Sequence, residues 1–277
     1  MLTKTRPSAP ESDFFSPEEQ AFNAEFLRKG YAIVPLAEKP RIDAVRERMH
    51  ARALELLGLK GAKRPSLEEF FDHTEKFVAP EKLNAFRLGM IEHLNADKLL
   101  RPALFHAARR HIEWVVGNEI AMQRTINLSI QMPDDDSSIL PLHSDVWSGN
   151  SPYEIVLWTP LVDCWKTKSM YILERPESEK TFREFARYKS FDAEKLYQSI
   201  KPKLVWLEVP YGHAVLFTHS LLHGNRLNEE TTTRWTFNVR LKSVLTPYGV
   251  KELGESFLPI TIRPATRIGF EAVSLEK

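Results

Sequence analysis

Along the chain, apolar residues recur first with a helical period and later with a strand period. Ser16-Pro17-Glu18-Glu19 has the composition of a helix start: Ser16 as N-cap, Pro17 in the first helical position, and Glu19 reaching back as a capping box. The helix runs to Lys29, with Gly30 as its stop. Tyr31 to Pro35 reads as a short strand. Pro40 opens a second helix with Ile42, Val45, Met49 and Leu56 roughly on one face. Ser66 and Glu69 form a second capping box. Two more helices are expected at Glu81 to Leu94 and Lys98 to Val116, the latter closed by Gly117. The chain up to that glycine is mostly helical.

The period then changes. From Ile120 to Met132, Asn127, Ser129 and Gln131 fall on one face and Leu128 and Ile130 on the other, as in a half-buried strand. Pro133 and three aspartates, Asp134 to Asp136, break it. Further strands are expected at Tyr153 to Val162, Lys168 to Leu173, Lys203 to Val209, Ala214 to His219 and Arg234 to Val244. Glu177 to Ile200 reads as one or two helices laid over the sheet, and Pro210 to His213 as a turn. Helices first and strands afterwards give an α+β arrangement whose strands form their own barrel or sandwich.

Composition narrows the classes of partner. At 277 residues the chain is long enough to bury a full core as one domain. The formal charge of +1 offers no surface for nucleic acid or anionic membrane. No apolar run approaches the roughly 18 residues of a membrane span. The first ten residues lack the apolar stretch of a secretory signal. A lone cysteine, Cys164, excludes an internal disulfide and fits a reducing cytoplasm. The stretch before Phe14 is expected to be a mobile tail. The oligomeric state is not legible in the sequence.

The chemistry gathers at Leu140-Pro141-Leu142-His143-Ser144-Asp145-Val146-Trp147. Two positions apart on an extended strand, His143 and Asp145 point to the same side. One more histidine completes a facial triad, which leaves three positions open on an octahedral metal and favours non-haem Fe(II). Alone, a His-x-Asp in a chain with nine histidines is weak, and a loop salt bridge accounts for it better. The joint pattern is sharper. The motif follows a strand and a polar loop, His223 lies just past the strand ending at His219, and Arg234 follows 234 − 223 = 11 residues later at the head of the next strand. Its planar guanidinium suits two-pronged capture of a carboxylate. His219, four residues before His223, is the rival third ligand and reads instead as a neighbour or core histidine.

In His143-x-Asp145, His223-Gly224 and Arg234 the chain resembles the Fe(II)/2-oxoglutarate dioxygenases of the phytanoyl-CoA dioxygenase type. The likeness extends to Gly30 to Pro35 and Gly212 to Phe217. Leu222 to Arg226, followed by Thr233-Arg234-Trp235, is more narrowly similar to members from bacterial carbohydrate gene clusters. The resemblance implies a double-stranded β-helix (jelly-roll, cupin-like) core with N-terminal helices packed outside. In one domain, residues 1–13 would be the tail, 14–117 helical support, 118–250 the jelly-roll core and 251–277 a C-terminal extension. It implies Fe(II) on His143, Asp145 and His223, with 2-oxoglutarate and O2 as co-substrates. Arg234 would hold the distal carboxylate of 2-oxoglutarate, with Asn225 beside it and Trp158 lining the pocket. A ligating Asp145 favours hydroxylation over halogenation. Where the family often has a Gly-x-Leu tract, this chain has Lys168-Ser169-Met170-Tyr171.

Other polar residues near these motifs are candidates for contact. Asn127 and Gln131 precede the motif and can reach the co-substrate. Trp147, Ser148, Asn150 and Tyr153 suit a sugar ring, whose apolar face stacks while its hydroxyls find partners. Asn238 and Arg240 share strand parity with Arg234. The expected activity is hydroxylation of a small-molecule substrate: a sugar, nucleotide-sugar or glycan precursor. A cupin-like metal isomerase or hydrolase on Zn or Mn, and a metal-free binding barrel, are the alternatives.

Overall fold

The computed structural model describes residues 14–184 and 192–275, so the expected tail lies outside the described residues. Helix α1 is Pro17–Lys29, with Ser16 Oγ accepting from Glu19 N at 3.2 Å and Gly30 closing it at φ 84°. Strand β1 (Tyr31–Pro35) follows, then α2 (Lys39–Leu57) and α3 (Leu67–Asp72), the latter capped by Ser66. Helices α4 (Leu83–Ala96) and α5 (Leu100–Val116) complete this layer, each starting two residues later than the sequence pattern places it.

The remainder is antiparallel sheet. Strands β2 (Ile120–Gln123), β3 (Asn127–Gln131), β4 (Ile155–Pro160), β5 (Tyr171–Ile172), β6 (Val205–Trp206), β7 (His213–Thr218), β8 (His223–Gly224), β9 (Arg234–Ser243) and β10 (Phe257–Thr261) form two sheets. The larger runs β1-β7-β4-β9-β2-β10, with β3 also on β9; the smaller is β6-β5-β8. Two helices, α6 (Arg175–Arg183) and α7 (Ala193–Ile200), stand where one or two were expected, and α8 (Pro264–Leu275) ends the described chain. The larger sheet continues past residue 250, because β10 pairs with β2. Among the described residues no helix is long and apolar enough to cross a membrane.

The expected strand from Ile120 to Met132 is two strands. Met122 sits opposite Leu241 and Asn127 opposite Asn238, so five steps on one side match three on the other. The two extra residues bulge outward, as such insertions do in a ladder. The minor-sheet strands are shorter than the apolar runs that announced them. A 3-10 turn at Lys166–Lys168, with Lys166 at φ 42°, occupies the start of the expected Lys168 to Leu173 strand.

Strand β9 joins the two halves of the core by simple alternation. Trp235, Phe237, Val239 and Leu241 are fully buried in the main hydrophobic cluster. Trp235 meets Phe70, Phe71 and Phe86 with ring centroids 4.9–6.0 Å apart, and its Nε1 donates to Thr74 Oγ1 at 2.8 Å. The even positions, Arg234, Thr236 and Asn238, line a cavity on the opposite face. Packing of helices α3 and α4 on the odd face therefore sets the position of the even face.

Replacing Trp235 removes this anchor and leaves a cavity. Trp235→Ala is expected to lower unfolding stability by about 3–5 kcal/mol, read as a lower urea midpoint at unchanged m-value; a midpoint shift of under about 1 kcal/mol would contradict the packing described.

Candidate metal centre

His143 and His223 face each other across an antiparallel bridge, His143 N donating to His223 O at 3.0 Å and the reverse at 2.9 Å. Their rings lie 4.2 Å apart between centroids. Each is oriented by the same local device. His143 Nδ1 lies 2.8 Å from Pro141 O and His223 Nδ1 lies 3.0 Å from Leu221 O, in both cases the carbonyl two residues earlier. A carbonyl only accepts, so both Nδ1 atoms carry the proton and both Nε2 atoms keep a free lone pair. Donation of the distal N–H to a carbonyl is the usual support of a metal-binding imidazole.

Asp145 completes the group. Ser144 is extended at φ −129°, and Asp145 then opens a 3-10 turn, Asp145–Ser148, rather than continuing a strand. The ligand atoms of His143, Asp145 and His223 all lie within 4.8 Å of one another. Phe217 packs edge-on to His223 at 4.9 Å. Gly224 is required by its surroundings: a Cβ there would sit 2.6 Å from the Tyr171 hydroxyl and 2.8 Å from Leu140 O.

The protonation states suit cation binding. Burial, reinforced by the neighbouring His143, pushes His223 down to about 4. Burial works against the charge on Asp145, yet His223, His219 and Arg240 together hold its carboxyl below the usual range. Two imidazoles and one carboxylate thus meet, a donor set suited to a divalent transition metal with open positions.

Next to His223, a cavity of about 100 Å³ is lined by Arg234, Ser129, Trp158, Met170 and Asn238 among others. Arg234 is buried, donating to Ser169 O and Ser129 Oγ, each at 3.2 Å, while its Nε has no partner. Burial pulls the guanidinium down to about 10, still charged at neutral pH. Among the described residues no carboxylate pairs with it. Cys164 is the titratable group that acts on it, and burial pushes that thiol up to about 12, leaving it neutral. A buried cation without a counter-ion is costly unless a ligand brings the anion.

The other expected residues divide. Trp158 and Asn238 line the cavity, and Asn238 Oδ1 is buried without a partner. Asn225 also lines it, but its amide ties loop to strand, accepting from Leu140 N at 2.5 Å and donating to Ser138 O and Gln131 Oε1. Gln131 is buried behind it, donating to Arg226 O at 2.8 Å. Asn127 is exposed and lies outside the cavity lining. Arg240 donates to Asp145 Oδ1 at 2.9 Å and to His219 Nε2 at 3.2 Å. Asn150 is buried and donates to Asp145 O. Trp147 and Ser148 are exposed, Trp147 standing edge-on to Phe182 at 5.8 Å. Tyr153 faces away, into a separate cleft of about 580 Å³ beside Phe26 and Leu27 that holds none of the three ligands. Sequence reasoning missed Ser129 and Thr236, although each shares strand parity with a residue already chosen. It also missed Glu154, buried beside His219, which nothing in the local pattern marks.

No family model matches the chain. A 77-residue stretch is 40% identical to formate-dependent phosphoribosylglycinamide formyltransferase of Methanocaldococcus jannaschii. That match covers 25% of this chain and 20% of the relative, so the chain spans about a fifth of the curated protein it matches. Among solved structures, the chain is similar to the non-haem monooxygenase ThoJ. The nickel complex superposes with TM-score 0.54 at 14% identity, over 87% of this chain and 84% of that one. Apo ThoJ gives 0.55 at 15% identity, with the same coverage. HygX from Streptomyces hygroscopicus, solved with nickel and 2-oxoglutarate, superposes more loosely, at 0.49 and 15% identity over 86% and 90%. At these identities the likeness to ThoJ is one of fold.

The neutral buried imidazoles make stability depend on pH. His219 is pushed from 6.5 down to about 3 by burial and His223 to about 4, so between those values and 6.5 the unfolded chain binds more protons than the folded one. Stability then falls as pH drops through this window, and Asp145, with its lowered value, adds to the loss below about 3.8. The melting temperature of metal-free protein is expected to hold steady above pH 7 and decline from 6.5 towards 4, with a shallower decline in His219→Gln. A flat profile over that range would contradict neutral histidines.

Proposed function

We propose that this protein is a non-haem Fe(II)- and 2-oxoglutarate-dependent oxygenase on a double-stranded β-helix core, similar to the phytanoyl-CoA dioxygenase type. Its reaction is hydroxylation of a small polar metabolite such as a sugar, nucleotide-sugar or glycan precursor, in the cytoplasm. One observation carries the reading: the buried, anion-less Arg234 lines the same small cavity as His223. A cation site and a fixed guanidinium at one cavity are what a dicarboxylate with a chelating keto acid needs. The fold shared with ThoJ, a non-haem monooxygenase whose complex holds nickel, supports it.

His143, Asp145 and His223 would hold the iron, and their single negative charge leaves a ferrous ion at net +1 with three positions free. Bound iron with 2-oxoglutarate supplies oxygen activation coupled to release of succinate and CO2. The protein's part is to bind, orient and keep dry. Arg234, now held by Ser169 O and Ser129 Oγ, would pair the far carboxylate through charge-assisted bonds. Trp158, Met170 and Phe217 keep water from the cavity wall, and the free Asn238 Oδ1 offers an acceptor within it. Asp145, a ligand rather than a bystander, leaves no vacancy for halide, which favours hydroxylation. Trp147 and Ser148, exposed within the turn that Asp145 opens, would meet a sugar ring.

Anaerobic addition of Fe(II) and 2-oxoglutarate is expected to produce the weak visible charge-transfer band of the chelate. His143→Ala should abolish succinate formation. Arg234→Ala should raise the KM for 2-oxoglutarate by about 30-fold or more, the effect of truncating one partner of a buried charge pair at about 2 kcal/mol or above. Full turnover in His143→Ala, or turnover independent of 2-oxoglutarate, would reject the proposal in favour of another metal enzyme.

A further inference from the structure

Behind Asp145 lies a line of buried polar groups that no step above uses. Arg240 reaches Asp145 Oδ1 with one terminal nitrogen at 2.9 Å and His219 Nε2 with its Nε at 3.2 Å. Because Arg240 Nε donates, His219 Nε2 accepts, and the imidazole proton sits on Nδ1. Nδ1 itself lies 3.3 Å from Glu154 Oε2. Both atoms are buried without a hydrogen-bond partner: they stand at ion-pair distance but outside hydrogen-bonding geometry, so each is left as the complement of the other. Glu154 Oε1 accepts from Ser151 N at 3.0 Å, and His219 and Glu154 are essentially without exposure. Both side-chain donors shown at the head of this line belong to the guanidinium.

This polarity decides what Asp145 can offer a metal. Its Oδ1 is engaged by Arg240. Its Oδ2 lies 3.6 Å from His219 Nε2, but that nitrogen is itself an acceptor and cannot donate to it. Oδ2 therefore keeps its lone pairs for a cation.

We propose that Glu154, His219 and Arg240 are positioning residues that hold Asp145 as a single-oxygen metal ligand, with Glu154 setting the tautomer of His219 from the far end. The inference rests on the metal-site reading above and goes beyond it, since Glu154 is not in the lining of the cavity that holds Arg234 and is not one of the three triad residues. Glu154 accepts from Ser151 N–H on Oε1 and turns Oε2 towards His219 Nδ1. A carboxylate offers an oxygen to each, whereas a glutamine amide must set its NH2 against one of them. Glu154→Gln, nearly identical in shape, therefore breaks the line without opening a cavity.

The test is titration of metal-free protein with Mn(II), without co-substrate, followed by the charge-transfer band of the Fe(II)–2-oxoglutarate form. Glu154→Gln and His219→Gln are expected to weaken Mn(II) binding by about 10- to 100-fold, as loss of such outer support does. The band should shift or lose intensity, while KM for 2-oxoglutarate stays within about threefold because Arg234 is untouched. Glu154→Asp, which keeps both acceptors on a shorter stem, should recover part of the Mn(II) affinity. Parent-like Mn(II) affinity in both glutamine variants would overturn this inference alone. A parent protein that binds no divalent cation would overturn it together with the functional reading.

Discussion

The structure turns on one antiparallel bridge, between His143 and His223. Two reciprocal backbone hydrogen bonds place the residues opposite each other, and each imidazole is then locked by its own chain's carbonyl two positions back. Backbone pairing is cooperative and rigid, whereas a side chain held only by rotamer preference wanders. Tying both rings to the backbone makes the metal-facing nitrogens a property of the fold. Gly224 belongs to the same constraint, since the approach of Leu140 and Tyr171 leaves no room for a side chain beside the distal histidine.

Around that bridge the charges are arranged by burial. On one side Asp145 is held ionised by Arg240, which donates to its Oδ1. On the other, Arg234 lies charged in the cavity wall with only neutral partners. An apolar environment magnifies both effects, because neither charge is screened by water. The centre therefore shows opposite demands a few residues apart, for a cation at the triad and for an anion at Arg234. A metal with a chelating dicarboxylate satisfies both at once.

The helical layer contributes without touching the chemistry. Helices α3 and α4 grip Trp235 through Phe70, Phe71 and Phe86, and strand alternation passes that grip to Arg234 and Thr236 on the cavity face. A core substitution far from the triad can thus move the guanidinium in the cavity wall.

Much of this was legible in the linear chain. Capping signals at Ser16 and Ser66 marked helices, period-two runs marked strands, and His143, Asp145, His223 and Arg234 stood out because scarce chemical groups recur at strand ends. Such signals are local, and local physics decides them. Three-dimensional packing decided the rest. The bulge between β2 and β3 follows from the length of a partner strand more than 100 residues away. Asn225 and Arg240 looked like ligand contacts, yet neighbours brought by the fold already occupy them. Glu154 gained its place only because burial sets it against His219, a contact across 65 residues of chain that no spacing rule encodes. Residue type and period are written in the sequence, while the partner of a buried polar group is chosen by topology.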